Sequence, residues 1–133
     1  MGANAFSVAF PSTVEEMAGP LLQAVDWLLK RNWITEKHVF YARLCLEEAL
    51  VNAIVHGNAS DRNRTVRLEI TEEEGFCVIK VFDEGEGFQI DQIPSPTCEA
   101  ENGRGICLIK HCMDDVHYDL QQKCFIMRMR KRA

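Results

Sequence analysis

Residues 44–57 read Leu44-Cys45-Leu46-Glu47-Glu48-Ala49-Leu50-Val51-Asn52-Ala53-Ile54-Val55-His56-Gly57. Nine of the twelve residues 44–55 are apolar. They cover most of a helix's circumference, which predicts a helix buried on several sides. Glu48 and Asn52 are four apart and therefore stack on one stripe, and His56 continues that stripe one turn later. A carboxylate beside a mostly apolar surface is costly unless it is paired. Taken alone, the stripe admits two readings: a row facing a ligand, or polar groups satisfied by neighbouring backbone.

Working outward, Thr35 is a cap for this helix and Gly57-Asn58 stops it, giving a span to about His56. Upstream, residues 6–10 alternate at period two and end at Pro11, the pattern of a short strand. Ser12 with Glu15, or Thr13 with Glu16, offers a capping box. Apolar residues from Val14 to Leu29 then follow at helical spacing. Gly19-Pro20 predicts either a kink or a true helix start at Pro20, and Asn32 marks the end. Downstream, a polar turn at 59–63 precedes strands at 65–71 and 76–83, linked through 72–75. Residues 84–102 have no periodicity and read as a loop of a length that is usually functional or mobile. A third helix is expected from near Gly105 to about Met113, then strands at 115–120 and 123–130. Runs of antiparallel strands with segregated helices predict an α+β two-layer sandwich, a mostly antiparallel sheet of about five strands with three helices on one face.

The 133 residues argue for one domain spanning 1–133. Hydrophobic residues at 47% and charged residues at 26% exclude disordered and low-complexity classes. The net charge of −5 gives no long-range attraction to nucleic acid or an anionic membrane, so neither is an expected partner. The basic tail Arg128, Arg130, Lys131, Arg132 reads as a charged strand end. No apolar run approaches the roughly 20 residues of a membrane span, and residues 1–6 lack the pattern of a signal peptide. A cytoplasmic location is expected. The six cysteines then read as reduced, with Cys45, Cys77, Cys107, Cys112 and Cys124 inside apolar stretches and Cys98 in a polar loop.

Two further segments carry chemistry. In Asp83-Glu84-Gly85-Glu86-Gly87-Phe88, strand parity points Asp83 the same way as Cys77, Ile79 and Val81. If those face the helices, Asp83 sits at the lip of the core. Gly85 and Gly87 let backbone approach a ligand closely. In Gly103-Arg104-Gly105-Ile106, glycines lead into an apolar helix whose first N–H groups suit phosphate, and Arg104 adds a charge. The pattern lacks the Gly-Lys-Ser/Thr of a P-loop, and no strand feeds its glycines directly.

In this order the three segments resemble the ATP-binding fold shared by topoisomerase ATPase domains, histidine kinases and anti-sigma-factor kinases, the GHKL or Bergerat fold. Glu48-x-x-x-Asn52 looks like its N box, Asp83-x-Gly85-x-Gly87 its first glycine box, and Gly103-x-Gly105 its second. The stretch Glu48–Gly57, Gly103-Arg104-Gly105-Ile106 and Met113-Asp114 most resemble the anti-sigma-factor serine/threonine kinase branch, over about residues 6–130. The resemblance implies ATP and Mg²⁺, with Asn52 as metal ligand and Glu48 as general base. Asp83 would accept from the adenine amine. His56, Gly85, Gly87, Phe88, Gly103, Arg104, Gly105 and Ile106 would complete the nucleotide site. The implied partners are a sigma factor and a small anti-sigma-factor antagonist protein, the latter being phosphorylated on serine or threonine. Family members are commonly homodimers. Kinases of this branch often carry lysine in the lid, whereas residues 89–102 contain Thr97 and no lysine. The alternative is a non-catalytic module that binds ATP and holds its protein partner in a nucleotide-dependent way.

Overall fold

The computed structural model describes residues 5–85 and 113–131. Strand β1 (Ala5–Pro11) leads to helix α1 (Val14–Lys30), and a 3-10 turn (Glu36–His38) leads to helix α2 (Val39–Asn52). A π turn (Ala53–Gly57) follows, then β2 (Thr65–Glu73), β3 (Phe76–Phe82), β4 (Asp115–Asp119) and β5 (Cys124–Arg130). The strands form a five-stranded sheet in the order β1-β2-β3-β5-β4, and every neighbouring pair is antiparallel. The protein is α+β, as the strand and helix patterns predict. Of the expected helix 105–113, residues 105–112 lie outside the described residues.

Period-two alternation sends one set of side chains from each strand to the helices. Val66, Leu68 and Ile70 of β2, Cys77, Ile79 and Val81 of β3, and Phe125, Met127 and Met129 of β5 are all buried in one core. From the helices that core takes Met17, Leu21, Ala24, Val25 and Leu28 of α1 with Ala42, Cys45, Leu46, Ala49 and Leu50 of α2. The nearly continuous apolar run of β3 follows from its central place. Its outward Val78 joins Cys124 and Ile126 in a second buried cluster with Phe76 and Phe82 beside it. Register explains what flanks that cluster. Arg67 pairs with Phe82 across β2–β3 and Arg130 with Phe76 across β3–β5. Each guanidinium stands over its partner's ring, at 4.0 and 5.3 Å from the centroid.

Helix α1 begins at Val14 rather than at Pro20. Thr13 is its N-cap, its hydroxyl accepting from the Glu16 N–H at 3.2 Å. Pro20 stands inside the helix. It costs one backbone bond, which burial on both sides of it, at Met17 and Leu21 and on to Leu28, outweighs. The C-terminus closes as a Schellman motif: the N–H of Trp33 donates to the Leu28 carbonyl and that of Asn32 to Leu29, with Asn32 left-handed at φ 63°. Between β2 and β3 the link is tighter than expected. Only Glu74 and Gly75 lie between the paired Glu73 and Phe76, and both have positive φ, as a type I′ turn requires.

Trp33 is carried by that motif to Glu72 on β2, to which its indole N–H donates. Arg31 grips the same carboxylate through Nε at 3.1 Å and Nη2 at 2.7 Å. These bonds hold the Glu72 carboxyl below its usual value, the Arg31 bond foremost. A carboxylate depressed on folding stabilises the protein above its unfolded pKa and loses that effect as pH falls through the folded value. Glu72→Gln should therefore lower the melting temperature at pH 7 and flatten its decline on acidification below the ordinary glutamate value of 4.5. Thermal melts of both proteins from pH 7 to 3 check this.

Cys45, Cys77 and Cys124 are buried, as expected of small apolar side chains. Burial pushes the Cys77 thiol up to about 12 and that of Cys124 to about 11. Cys98, Cys107 and Cys112 lie outside the described residues. No helix among the described residues is long and apolar enough to cross a membrane.

Candidate functional site

The site is built where α2 ends against the end of β3. Along α2 the buried positions fall at 42, 45, 46, 49 and 50 and continue to Ala53 and Ile54, one stripe laid on the sheet. Glu48 and Asn52 are half-buried on the flank of that stripe, one turn apart. The helix is therefore buried on one side with partly covered flanks, not all round. After Asn52 the helix widens, and the Asn58 N–H donates to the Ala53 carbonyl five residues back, at 2.8 Å. This π turn ends the four-residue stacking. His56 is exposed instead of extending the Glu48–Asn52 row.

Asp83 follows β3 directly. It has the parity of Cys77, Ile79 and Val81, all buried in the helix-facing core, and is itself 8% exposed. A carboxylate sits at the lip of the core, as strand parity predicts. Its Oδ1 accepts from the Gly85 N–H at 2.9 Å. Burial pushes its pKa up, opposed by that bond and by the charges of Arg64 and Lys123. Across the sheet, burial and the Asp83 charge push the Tyr118 hydroxyl up to about 12.

Two glycines permit this junction. A Cβ on Gly85 would stand 1.7 Å from the Gly57 carbonyl oxygen, and one on Gly57 would stand 2.3 Å from Asp83 Oδ2. The π turn and the Asp83–Gly85 segment are thus in backbone contact, and only hydrogen fits between them. The sequence marks Gly57 as a helix stop; in the fold it is a wall of the site.

Asn58 is the residue that sequence reading missed most completely. It is fully buried. Its Nδ2 donates to Ser12 Oγ and to the Thr65 carbonyl, both at 3.1 Å, and its Oδ1 accepts from the Glu84 N–H at 2.7 Å. Glu84 returns the contact, its carboxylate accepting from the Thr65 N–H. The sequence offers one signal, a polar residue directly after a helix-ending glycine, and that signal reads as solvent-facing turn.

The arrangement provides a half-buried carboxylate and amide on one helix and a buried carboxylate on the facing strand end. Between them is backbone packed too closely for side chains. Among the described residues no three His, Cys, Asp or Glu converge as a metal site. The side-chain amide of Asn52 offers a neutral oxygen of the kind that Mg²⁺ accepts. Gly87, Phe88, Gly103, Arg104, Gly105 and Ile106 lie outside the described residues.

Comparison with known proteins gives the family and the fold. The anti-sigma F factor of Geobacillus thermodenitrificans (strain NG80-2) is 35% identical over 77 residues, which cover 53% of this chain and 53% of that protein. The serine-protein kinase RsbW of Bacillus subtilis (strain 168) is 27% identical over 111 residues, 76% of this chain and 69% of that one. The match thus spans about half the length of the anti-sigma F factor. Among solved structures, the histidine kinase domain of the blue-light activated histidine kinase from Erythrobacter litoralis EL346 superposes with a TM-score of 0.51 at 17% identity. It covers 83% of this chain and 56% of that one, a likeness of fold alone. The profile of the histidine kinase-like ATPase domain matches residues 10–131. The chain belongs to the histidine kinase-like ATPase domain family.

Proposed function

We propose that the protein is an ATP- and Mg²⁺-dependent serine/threonine kinase that acts as an anti-sigma regulator. In this reading it binds a sigma factor and phosphorylates a small antagonist of that inhibition. The observation that carries the reading is Asp83. It is a buried carboxylate at the end of the central strand, packed against the glycine that ends the helix bearing Glu48 and Asn52. The names of the relatives, anti-sigma F factor and serine-protein kinase, support it. In this role Asp83 accepts a hydrogen bond from the adenine amine and rejects guanine, whose carbonyl in that place would face a carboxylate. Glu48 takes the proton from a partner's serine or threonine hydroxyl as its oxygen bonds to the γ-phosphorus and ADP leaves. A positioned base contributes about 10²–10⁴ in rate. Asn52 would hold Mg²⁺, which neutralises phosphate charge. Gly87, Phe88, Gly103, Arg104, Gly105 and Ile106 complete the nucleotide site in this proposal, with His56 at its exposed margin. Action from the cytoplasm and as a homodimer belongs to the same proposal.

The test is calorimetric titration with ATP, ADP and GTP, with and without Mg²⁺, followed by incubation with labelled ATP and a candidate antagonist. Heat with ATP and phosphoserine or phosphothreonine on the partner is the expected result. No heat with any adenine nucleotide rejects the reading. The absence of lysine from residues 89–102 favours a second reading, a nucleotide-sensitive clamp that holds its partner and transfers nothing.

Asp83 also gives a two-sided expectation. Asp83→Ala leaves the adenine amine without its acceptor and should weaken ATP binding by about 1–3 kcal/mol. Asp83→Asn should raise the stability of the nucleotide-free protein at pH 7. A carboxyl raised on folding binds its proton more readily in the folded state, so its ionised form opposes folding at neutral pH and the penalty fades as pH falls. The advantage of the asparagine variant should shrink on acidification. Denaturant titrations at several pH values, beside ATP calorimetry, measure both.

A further inference from the structure

We infer that Asn58 is a positioning residue for nucleotide selectivity, holding the Asp83–Gly85 segment in its adenine-reading place before ATP arrives. The inference rests on the proposed ATP site and adds to it a determinant outside the motif residues. Three observations carry it. First, the orientation of the Asn58 amide is forced. The Thr65 carbonyl can only accept and the Glu84 N–H can only donate, so Nδ2 faces the one and Oδ1 the other. Second, both amide hydrogens and the oxygen are engaged while the side chain is fully buried. A buried group satisfied on every side has one low-energy position. Third, Asn58 directly follows Gly57, whose carbonyl oxygen meets Gly85 and whose α-carbon faces Asp83. One side chain therefore spans the end of α2, the corner after β1, the start of β2 and the segment after β3.

Without Asn58, Glu84 keeps its carboxylate on Thr65 but loses the anchor of its own N–H. Among the described residues, the Asp83 carboxylate is then placed by the strand and by its bond to Gly85. Asp83 is one residue from that anchor, so movement of the Glu84 peptide turns the carboxylate that distinguishes an amine from a carbonyl on the purine. A purely structural Asn58 would instead fasten Ser12 to Thr65 and leave selectivity untouched.

The experiment compares full-length wild type, Asn58→Ala, Asn58→Asp and Ser12→Ala. ATP and GTP dissociation constants are read by calorimetry and melting temperature alongside. In Asn58→Ala the preference for ATP over GTP should fall about tenfold, the scale of one lost hydrogen bond. In Asn58→Asp, which keeps an acceptor for Glu84, the preference should be retained although the protein melts lower. In Ser12→Ala only the melting temperature should fall. Equal selectivity in wild type and Asn58→Ala overturns the inference while leaving the ATP site standing. Failure of the wild type to prefer ATP overturns the site and the inference together. Should Asn58→Ala not fold, exchange of the Glu84 amide in nucleotide-free wild type decides. Protection supports a preformed segment, and exchange at the free-peptide rate refutes it.

Discussion

Gly85→Ala is expected to abolish ATP binding and to destabilise the nucleotide-free protein by about 3 kcal/mol or more. The added Cβ would stand 1.7 Å from the Gly57 oxygen and 2.6 Å from its carbonyl carbon. Neither atom can rotate away, because both belong to the backbone of the π turn. That turn is fixed in its place by the Asn58 N–H on Ala53 and by burial of Ala53 and Ile54. Either the turn shifts off the core or the Asp83 segment shifts off the turn, and each separates Asp83 from the helix bearing Glu48 and Asn52. Gly57→Ala makes an instructive companion. Its Cβ meets Asp83 Oδ2 at 2.3 Å, a side-chain atom that can move, so ATP affinity should suffer before stability does. Denaturation curves and ATP titrations on both variants separate the two. An alanine at 85 with wild-type melting and ATP affinity would show that helix and strand do not meet as described.

Glu48→Gln is expected to lower phosphoryl transfer by about 10²–10⁴ while leaving the ATP dissociation constant unchanged. Glutamine keeps the length and an acceptor oxygen of glutamate but cannot take up a proton at neutral pH. The loss corresponds to about 3–5 kcal/mol of activation free energy. Glu48 is half-buried on the flank of α2 one turn before Asn52, on the part of the helix whose end touches Asp83 through Gly57. Single-turnover assays with labelled ATP and a serine-bearing partner measure the rate, and calorimetry measures affinity. A clamp without transfer would be indifferent to the substitution in every assay of partner binding. The variant therefore separates the two proposed readings.

The faces of the strands were legible because alternation at period two is local information. Val66, Leu68 and Ile70, or Phe125, Met127 and Met129, declare their side without reference to distant residues. Asp83 was placed at the lip of the core by the same parity. The helix read from Thr35 to His56 fared differently. Its middle is α2, but its ends are a 3-10 turn and a π turn, and an apolar pattern does not distinguish bonds to the fourth residue from bonds to the fifth. That difference exposes His56. Asn58 was invisible because Ser12, Thr65 and Glu84 become its neighbours only when the chain has folded. Gly19-Pro20 reads locally as a kink or a helix start, whereas the core contacts of Met17 and Leu21 carry α1 through it from Val14.

The sheet order has a consequence for the chain while it is being made. β5 follows every other strand in sequence, yet it lies beside β3. When Phe82 leaves the ribosome, one row of β3 backbone groups has no partner until Arg130 follows. At roughly 5–20 residues per second the wait is about 2–10 seconds. During it, a strand with the composition Phe76-Cys77-Val78-Ile79-Lys80-Val81-Phe82 is an open template for foreign strands. Lys80 is the single charge in that run. A charge at that position disfavours such foreign pairing before the sheet is complete.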